Sequence, residues 1–142
     1  MRAFNTSFTL ESTARTEIAD ITPLVTSAIR PFAVSTGIAL VNTLHTTCAL
    51  FINEFQSALM EDLRGLIERL IPDSAGYCHD DPRISDCERG NARAHLRAVL
   101  LGRTLAVGVN DGDLTLGQFQ SVIFAELDGP RKRAISIQVI GE

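Results

Sequence analysis

Residues 3–10 alternate without interruption. Phe4, Thr6, Phe8 and Leu10 share one side of an extended chain, and Ala3, Asn5, Ser7 and Thr9 share the other. Strand side chains point to opposite faces with a period of two, so the segment reads as a half-buried strand. Near the far end Ile135, Ile137 and Val139 repeat the pattern. Strands of this kind at both ends commit the chain to a sheet-based fold.

The interior adds further strands and a few helices. Gly37 opens an extended region in which Ile38–Val41 and Cys48–Ile52 flank Leu44-His45-Thr46-Thr47. These apolar runs predict two buried strands or one long bent one. Leu105, Val107 and Val109 alternate as another strand, and Asn110–Asp113 reads as a turn. A strand over Gln118–Leu127, a turn at Asp128-Gly129-Pro130 and the returning Ile135–Val139 strand predict a terminal hairpin.

A first helix is expected from Thr22-Pro23, with Thr22 as its cap, fading near Pro31. Leu59, Leu63, Leu66, Ile67 and Leu70 follow helical spacing up to Pro72. Ser85-Asp86-Cys87-Glu88 matches a capping box for a third helix, expected to bury Ala92, Leu96, Val99 and Leu100 and to end at Gly102. About three helices and six or seven strands, many adjacent in sequence, predict an α+β fold built on a mainly antiparallel sheet or two packed sheets. The length of 142 residues fits one domain over 1–142.

Thirteen Lys and Arg residues against 17 Asp and Glu give a net charge of −4, which argues against a general nucleic-acid binder. No apolar run approaches the ~20 residues needed to span a bilayer, and the N-terminus lacks a signal-peptide pattern. The expectation is a cytoplasmic protein without membrane partners. Cys48, Cys78 and Cys87 are odd in number and lack Cys-x-x-Cys spacing, against a disulfide scaffold or a zinc ribbon.

All three histidines stand in compact polar motifs: His45-Thr46-Thr47, Tyr77-Cys78-His79-Asp80 and Asn91-Ala92-Arg93-Ala94-His95. Three imidazoles with one open position are the donor set of a catalytic zinc site. Each histidine taken singly is more often a structural residue than a ligand, and no short ligand motif joins them. Asn91 and His95 are four apart, on one helical face. Glu54 of Asn53-Glu54, at the end of an apolar strand, suits a general base or a partner orienting a ligand, or else the pair is a strand-to-helix junction with Asn53 as cap. Gln120, Glu126 and Asp128 share parity on one strand. Arg131, Lys132 and Arg133 form a cationic cluster suited to phosphate or carboxylate, or to a charged hairpin end.

The order of these motifs is the distinctive feature. His45-Thr46-Thr47 through Asn53-Glu54 comes first, then Tyr77-Cys78-His79 and Asn91-Ala92-x-x-His95-Leu96. Asp111-Gly112-x-Leu114-x-Leu116-Gly117-x-x-Gln120 and Glu126-x-Asp128-Gly129-Pro130-Arg131-x-Arg133 complete the set. Together they resemble the YjbQ-like family, also called secondary thiamine-phosphate synthase, over nearly the whole chain. The resemblance implies a YjbQ-like α+β domain assembling as a homotrimer. It also implies that His45, His79 and His95 meet at a metal or anion site, with the other motif residues around them. The attached reaction joins an aminopyrimidine diphosphate to a thiazole phosphate and releases diphosphate.

Three readings follow. The first is a metal-assisted small-molecule enzyme. His45, His79 and His95 hold a divalent metal or the substrate anion, Zn2+ by donor type or Mg2+ if carried by a diphosphate. Asn53, Glu54, Asn91, Gln120 and Glu126 serve catalysis, while Thr46, Thr47, Arg131 and Arg133 bind a phosphorylated substrate. The second is a non-catalytic binding protein for a phosphorylated metabolite or a metal, using the same pocket. The third is an interaction protein whose polar motifs shape a trimer interface.

Overall fold

The two alternating ends pair with each other. In the computed structural model, which describes residues 1–142, strand β1 (Arg2–Glu11) lies antiparallel to β8 (Lys132–Gly141), from Arg2 opposite Gly141 to Glu11 opposite Lys132. Between them run β2 (Glu17–Asp20), α1 (Thr22–Ile29), β3 (Thr36–Thr43), β4 (Cys48–Asn53), α2 (Ser57–Leu70), α3 (Ala92–Leu101), β5 (Thr104–Asn110), β6 (Asp113–Leu114) and β7 (Ser121–Glu126). Short 3-10 turns cover Arg30–Phe32 and Cys78–Asp80.

The strands form two antiparallel sheets, one in the order β1-β8-β3-β5-β6 and one in the order β2-β7-β4. The α+β architecture is therefore the one expected, in its two-sheet form. The terminal hairpin is not formed: β7 and β8 belong to different sheets. The pattern of β7 explains this. Val122 through Leu127 are all buried, so the strand is covered on both faces and must be an inner layer. β8 alternates between buried and more open positions and suits a sheet with an outer face. Two such strands do not belong side by side.

The main core lies between the sheets. Ala39, Val41, Val109, Ile135, Ile137 and Val139 of the large sheet meet Cys48, Leu50, Val122 and Phe124 of the small one, with Val25 and Ile29 of α1. The opposite face of the small sheet offers Ala49, Ala125 and Leu127, packed on Ile67 of α2 and on Ala94 and Ala98 of α3.

The helix ends differ from expectation. Thr22 does not cap α1; its hydroxyl accepts the Val122 N–H at 2.8 Å and so joins the helix start to β7. Gln56, not Asn53, caps α2, its side-chain oxygen accepting the Leu59 N–H at 2.7 Å. Ser85 turns back onto the Cys87 N–H, and α3 takes its cap from a distance: Ala92 N–H donates to Asp80 Oδ1 at 2.9 Å.

The burial of α3 agrees with the sequence reading at Ala92 and departs from it at Leu96, Val99 and Leu100. Ala92, Arg93, Ala94, Arg97 and Ala98 face inward, while Leu96, Val99 and Leu100 face out. The alanines let the helix approach the sheet closely. The two arginines lie along the same side and reach the segment that follows α2, with their charges paired there. Gly102, at φ 100°, ends the helix in a conformation closed to other residues.

Candidate functional site

β3 ends at Thr43, paired with Ile135 of β8. One residue further along β8, the Ala134 N–H has no strand carbonyl on that side, and His45 Nε2 accepts it at 3.0 Å. A neutral imidazole that accepts at Nε2 carries its proton on Nδ1. His45 thus presents an N–H donor. The His45 backbone N–H donates to the Thr43 hydroxyl at 3.3 Å. Thr47 is pinned as well: its carbonyl accepts the Leu127 N–H, and its hydroxyl accepts Arg133 Nη2 at 2.8 Å.

Behind this loop lies a buried ion pair. Glu126, with no exposed surface, receives both Nε and Nη2 of Arg133, at 2.8 and 2.5 Å. It also accepts the Leu127 and Asp128 N–H groups and the Ser12 hydroxyl. Ser12 Oγ in turn accepts the Arg131 N–H at 2.8 Å. Burial pushes the Glu126 carboxyl up, but the hydrogen bond from Arg133, the backbone amide bond, the Arg133 charge and Ser12 together outweigh it and hold the group below the usual glutamate range. Glu126 faces the inter-sheet core, with the parity of Val122 and Phe124, and is therefore a scaffold for Arg133 and Thr47. It does not share a face with Gln120 at the cleft and is absent from the cleft lining.

In front of the ion pair opens a cleft of about 380 Å³. The β3–β4 loop supplies Leu44, His45, Thr46 and Thr47, and the 3-10 turn supplies His79. Cys87, Arg89, Asn91 and His95 come from the approach to α3 and its first turns; Asp128, Arg131 and Arg133 come from the β7–β8 crossing. The rings of His79 and His95 meet edge to face, centroids 5.0 Å apart. Asp128 Oδ2 accepts from Asn91 Nδ2 at 2.9 Å and from Arg131 Nη2 at 3.0 Å, tying helix to crossing. His95 is held below the usual histidine range, first by burial and then by the His79 charge; Asp128, Asp80 and the Thr46 backbone pull the other way. A second, more apolar cleft of about 520 Å³ shares Leu44, His45, Thr46 and His95 with the first and continues over Cys48, Ala98 and Val99.

The structure thus brings together His45, His79, His95, Thr46, Thr47, Asn91, Arg131 and Arg133. It leaves Asn53, Glu54 and Gln120 outside the cleft lining. Asn53 Oδ1 accepts the Glu54 N–H, and Gln120 Oε1 accepts the Gly117 N–H; both close local turns. Arg133 is committed to Glu126 and Thr47 and Arg131 gives Nε and Nη2 to Asp128, which leaves Arg131 Nη1 and the Arg89 guanidinium as the cationic donors of the cleft. Arg89 and Cys87 carry no site signal in the sequence, and Asp128 carries only its parity with Gln120 and Glu126 and its place in the last motif. Arg89 and Cys87 are marked only by their nearness to the Asn91 motif. A three-imidazole metal site is not assembled: no group of three or more His, Cys, Asp or Glu side chains is placed to hold a metal ion. The Nε2 of His45, one of the expected donors, is already an acceptor. No helix is long and apolar enough to cross a membrane.

Comparisons with known proteins agree with the fold. The family model described as "UPF0047 protein YjbQ-like" matches residues 6–142. A UPF0047 protein of Methanothermobacter thermautotrophicus is 39% identical over 142 residues, covering 100% of this chain and 95% of that protein. The UPF0047 protein YugU of Bacillus subtilis is 31% identical, covering 93% of this chain and 96% of that one. Among solved structures, a YbjQ-like protein of unknown function from Sulfolobus solfataricus P2 superposes with a TM-score of 0.89 at 31% identity, covering 99% of both chains. A hypothetical protein from Aeropyrum pernix K1 gives 0.88 at 31% identity, covering 98% of this chain and 99% of that one.

Proposed function

The chain belongs to the YjbQ-like UPF0047 family, and on that premise we propose that its polar cleft binds the phosphate or diphosphate of a small metabolite and acts on it. One observation carries this reading. Three histidines, Arg89, Arg131, Asn91 and Thr46 line one cleft, against Asp128 as its lone carboxylate apart from the ion-paired Glu126 behind it. Such a lining offers N–H and O–H donors around a small volume, which is what an oxyanion needs. The adjoining apolar cleft suits the organic part of the same molecule.

In its finer form the proposal is the thiamine-phosphate synthase reaction. The thiazole nitrogen bonds to the methylene carbon of the aminopyrimidine as its C–O bond to diphosphate breaks, and the electron pair leaves with diphosphate. Arg131 and Arg89 stabilise that leaving charge, and His45 donates from Nδ1. His79 and His95 stand where a proton can be delivered to the departing oxygen. A divalent metal enters only as Mg2+ arriving on the diphosphate, whose oxygens are its preferred ligands. The outward Leu96 and Leu100, outside both clefts, favour a self-associated form, the homotrimer, in which these side chains are covered.

Calorimetric titration with diphosphate, with and without Mg2+, tests the binding reading, and product analysis with the two phosphorylated heterocycles tests the reaction. His45→Ala is expected to weaken diphosphate binding about tenfold or more, the scale of losing one charge-assisted hydrogen bond. Equal affinity in His45→Ala and wild type would remove the cleft from the argument. Tight binding without product would favour the non-catalytic reading.

A further inference from the structure

His79 faces a difficulty that His45 and His95 do not. It sits in the segment between α2 and α3, exposed, with Pro72–Gly76 exposed before it. That segment buries little apolar surface, so hydrophobic packing does not order it. Polar ties do. Arg97 donates Nε and Nη2 to the Ile71 carbonyl at 3.0 and 2.6 Å. Arg93 Nε and Arg97 Nη2 both reach Asp73 Oδ1, at 2.9 and 3.2 Å. Asp80 accepts the Ala92 N–H, and the Tyr77 hydroxyl closes the segment on the Pro72 carbonyl.

The ties from Ile71, Asp73 and Asp80 all land on α3, the helix that carries His95. Arg93 and Arg97 are one helical turn apart and both almost wholly buried, a costly place for two like charges. Asp73 is the only carboxylate paired with either. Arg93 Nη1 donates to the Gly90 carbonyl at 3.0 Å and its Nη2 is buried with no partner, so Asp73 is the one opposite charge it meets.

We infer that Asp73 is a positioning residue for the candidate site: through Arg93 and Arg97 it fastens the segment to α3 and so sets His79 against His95. Asp73 does not line the cleft and touches no ligand there. Its consequence for ligand binding rests on the reading of the cleft as an anion site; its consequence for the His79–His95 contact does not.

The test uses the full chain with Asp73→Ala and Asp73→Glu. Wild type should give a nuclear Overhauser cross-peak between the His79 and His95 ring protons, and resist chymotrypsin at Tyr77. In Asp73→Ala the cross-peak should vanish, and cleavage at Tyr77 should accelerate about tenfold or more. Diphosphate affinity should fall by about the same factor, while backbone amide shifts in both sheets stay in place. Asp73→Glu should restore the cross-peak and most of the affinity. An intact cross-peak with unchanged cleavage in Asp73→Ala would overturn the inference. So would sheet amides that shift as widely as those of the segment, because the residue would then be a general fold determinant. Wild type that fails to bind diphosphate would refute the proposed function, while the cross-peak and cleavage would still decide the role of Asp73.

Discussion

Replacing Glu126 by Gln keeps the shape of the side chain and removes its charge. Glu126 has no exposed surface and Arg133 is 3% exposed, so water cannot take the place of the lost carboxylate. Breaking a buried pair from one side costs about 3–5 kcal/mol, because the remaining charge is left uncompensated. Gln still accepts through one oxygen, which places the expected loss near the lower end, about 3 kcal/mol. That is a large share of the roughly 5–15 kcal/mol that stabilises a domain. At roughly 3 °C per kcal/mol for this size, the midpoint should fall by about 10 °C.

The same change carries a pH signature. The folded pKa of Glu126 is lowered, so its contribution is present above the ordinary glutamate value of about 4.3 and is lost as pH falls through the folded pKa. Urea unfolding of both proteins at fixed concentration should therefore show the full gap at pH 7 and a shrinking gap toward pH 3. The double variant Glu126→Gln, Arg133→Met should recover part of the loss. A deficit under about 1 kcal/mol at pH 7, or a gap that does not change with pH, would refute the pairing as an energetic element.

Two further predictions can be checked directly. His95 should titrate below an ordinary histidine in the free protein, and its pKa should rise when diphosphate occupies the cleft, since a nearby anion favours the charged ring; histidine NMR over pH 5–8 reads both. Gly129→Ala should lower stability by about 1–3 kcal/mol in thermal unfolding, because a Cβ there meets the Ala14 carbonyl, the Glu126 side chain and Ser12 at the crossing between sheets.

The strands were legible because alternation is a local property. Phe4–Leu10, Leu105–Val109 and Ile135–Val139 each read out their own burial. The gathering of the histidine motifs was implied by the family resemblance and not by their spacing, and they share a cleft with Asn91 and Arg131. Partnership between strands is not local, and there the reading failed. A turn sequence at Asp128-Gly129-Pro130 joins two strands in either case, paired or not, and only burial of β7 on both faces separates the alternatives. The departure at α3 has a similar cause. Leu96, Val99 and Leu100 are apolar, but apolarity does not say which side faces this chain's own core, and nothing local marks Arg93 and Arg97 as buried, since their acid partner Asp73 lies in another segment. The caps from Gln56 and Asp80 and the turns closed by Asn53 and Gln120 depend on which oxygen reaches an amide first, a matter of ångströms that residue type does not encode.

The passage from β7 to β8 through residues 127–131 leaves the molecule without a fault line. Layered proteins often come apart where one layer ends, but here consecutive strands sit in different layers, and Glu126 and Arg133 grip across the corner. Neither sheet can lift without dragging the other by its own backbone. A ligand that clasps Arg131 and Asp128 therefore tightens the seam itself, and its effect should travel outward along β8 into β1, the edge of the large sheet. Slowed amide exchange on that outer edge would report occupancy of a cleft it never touches.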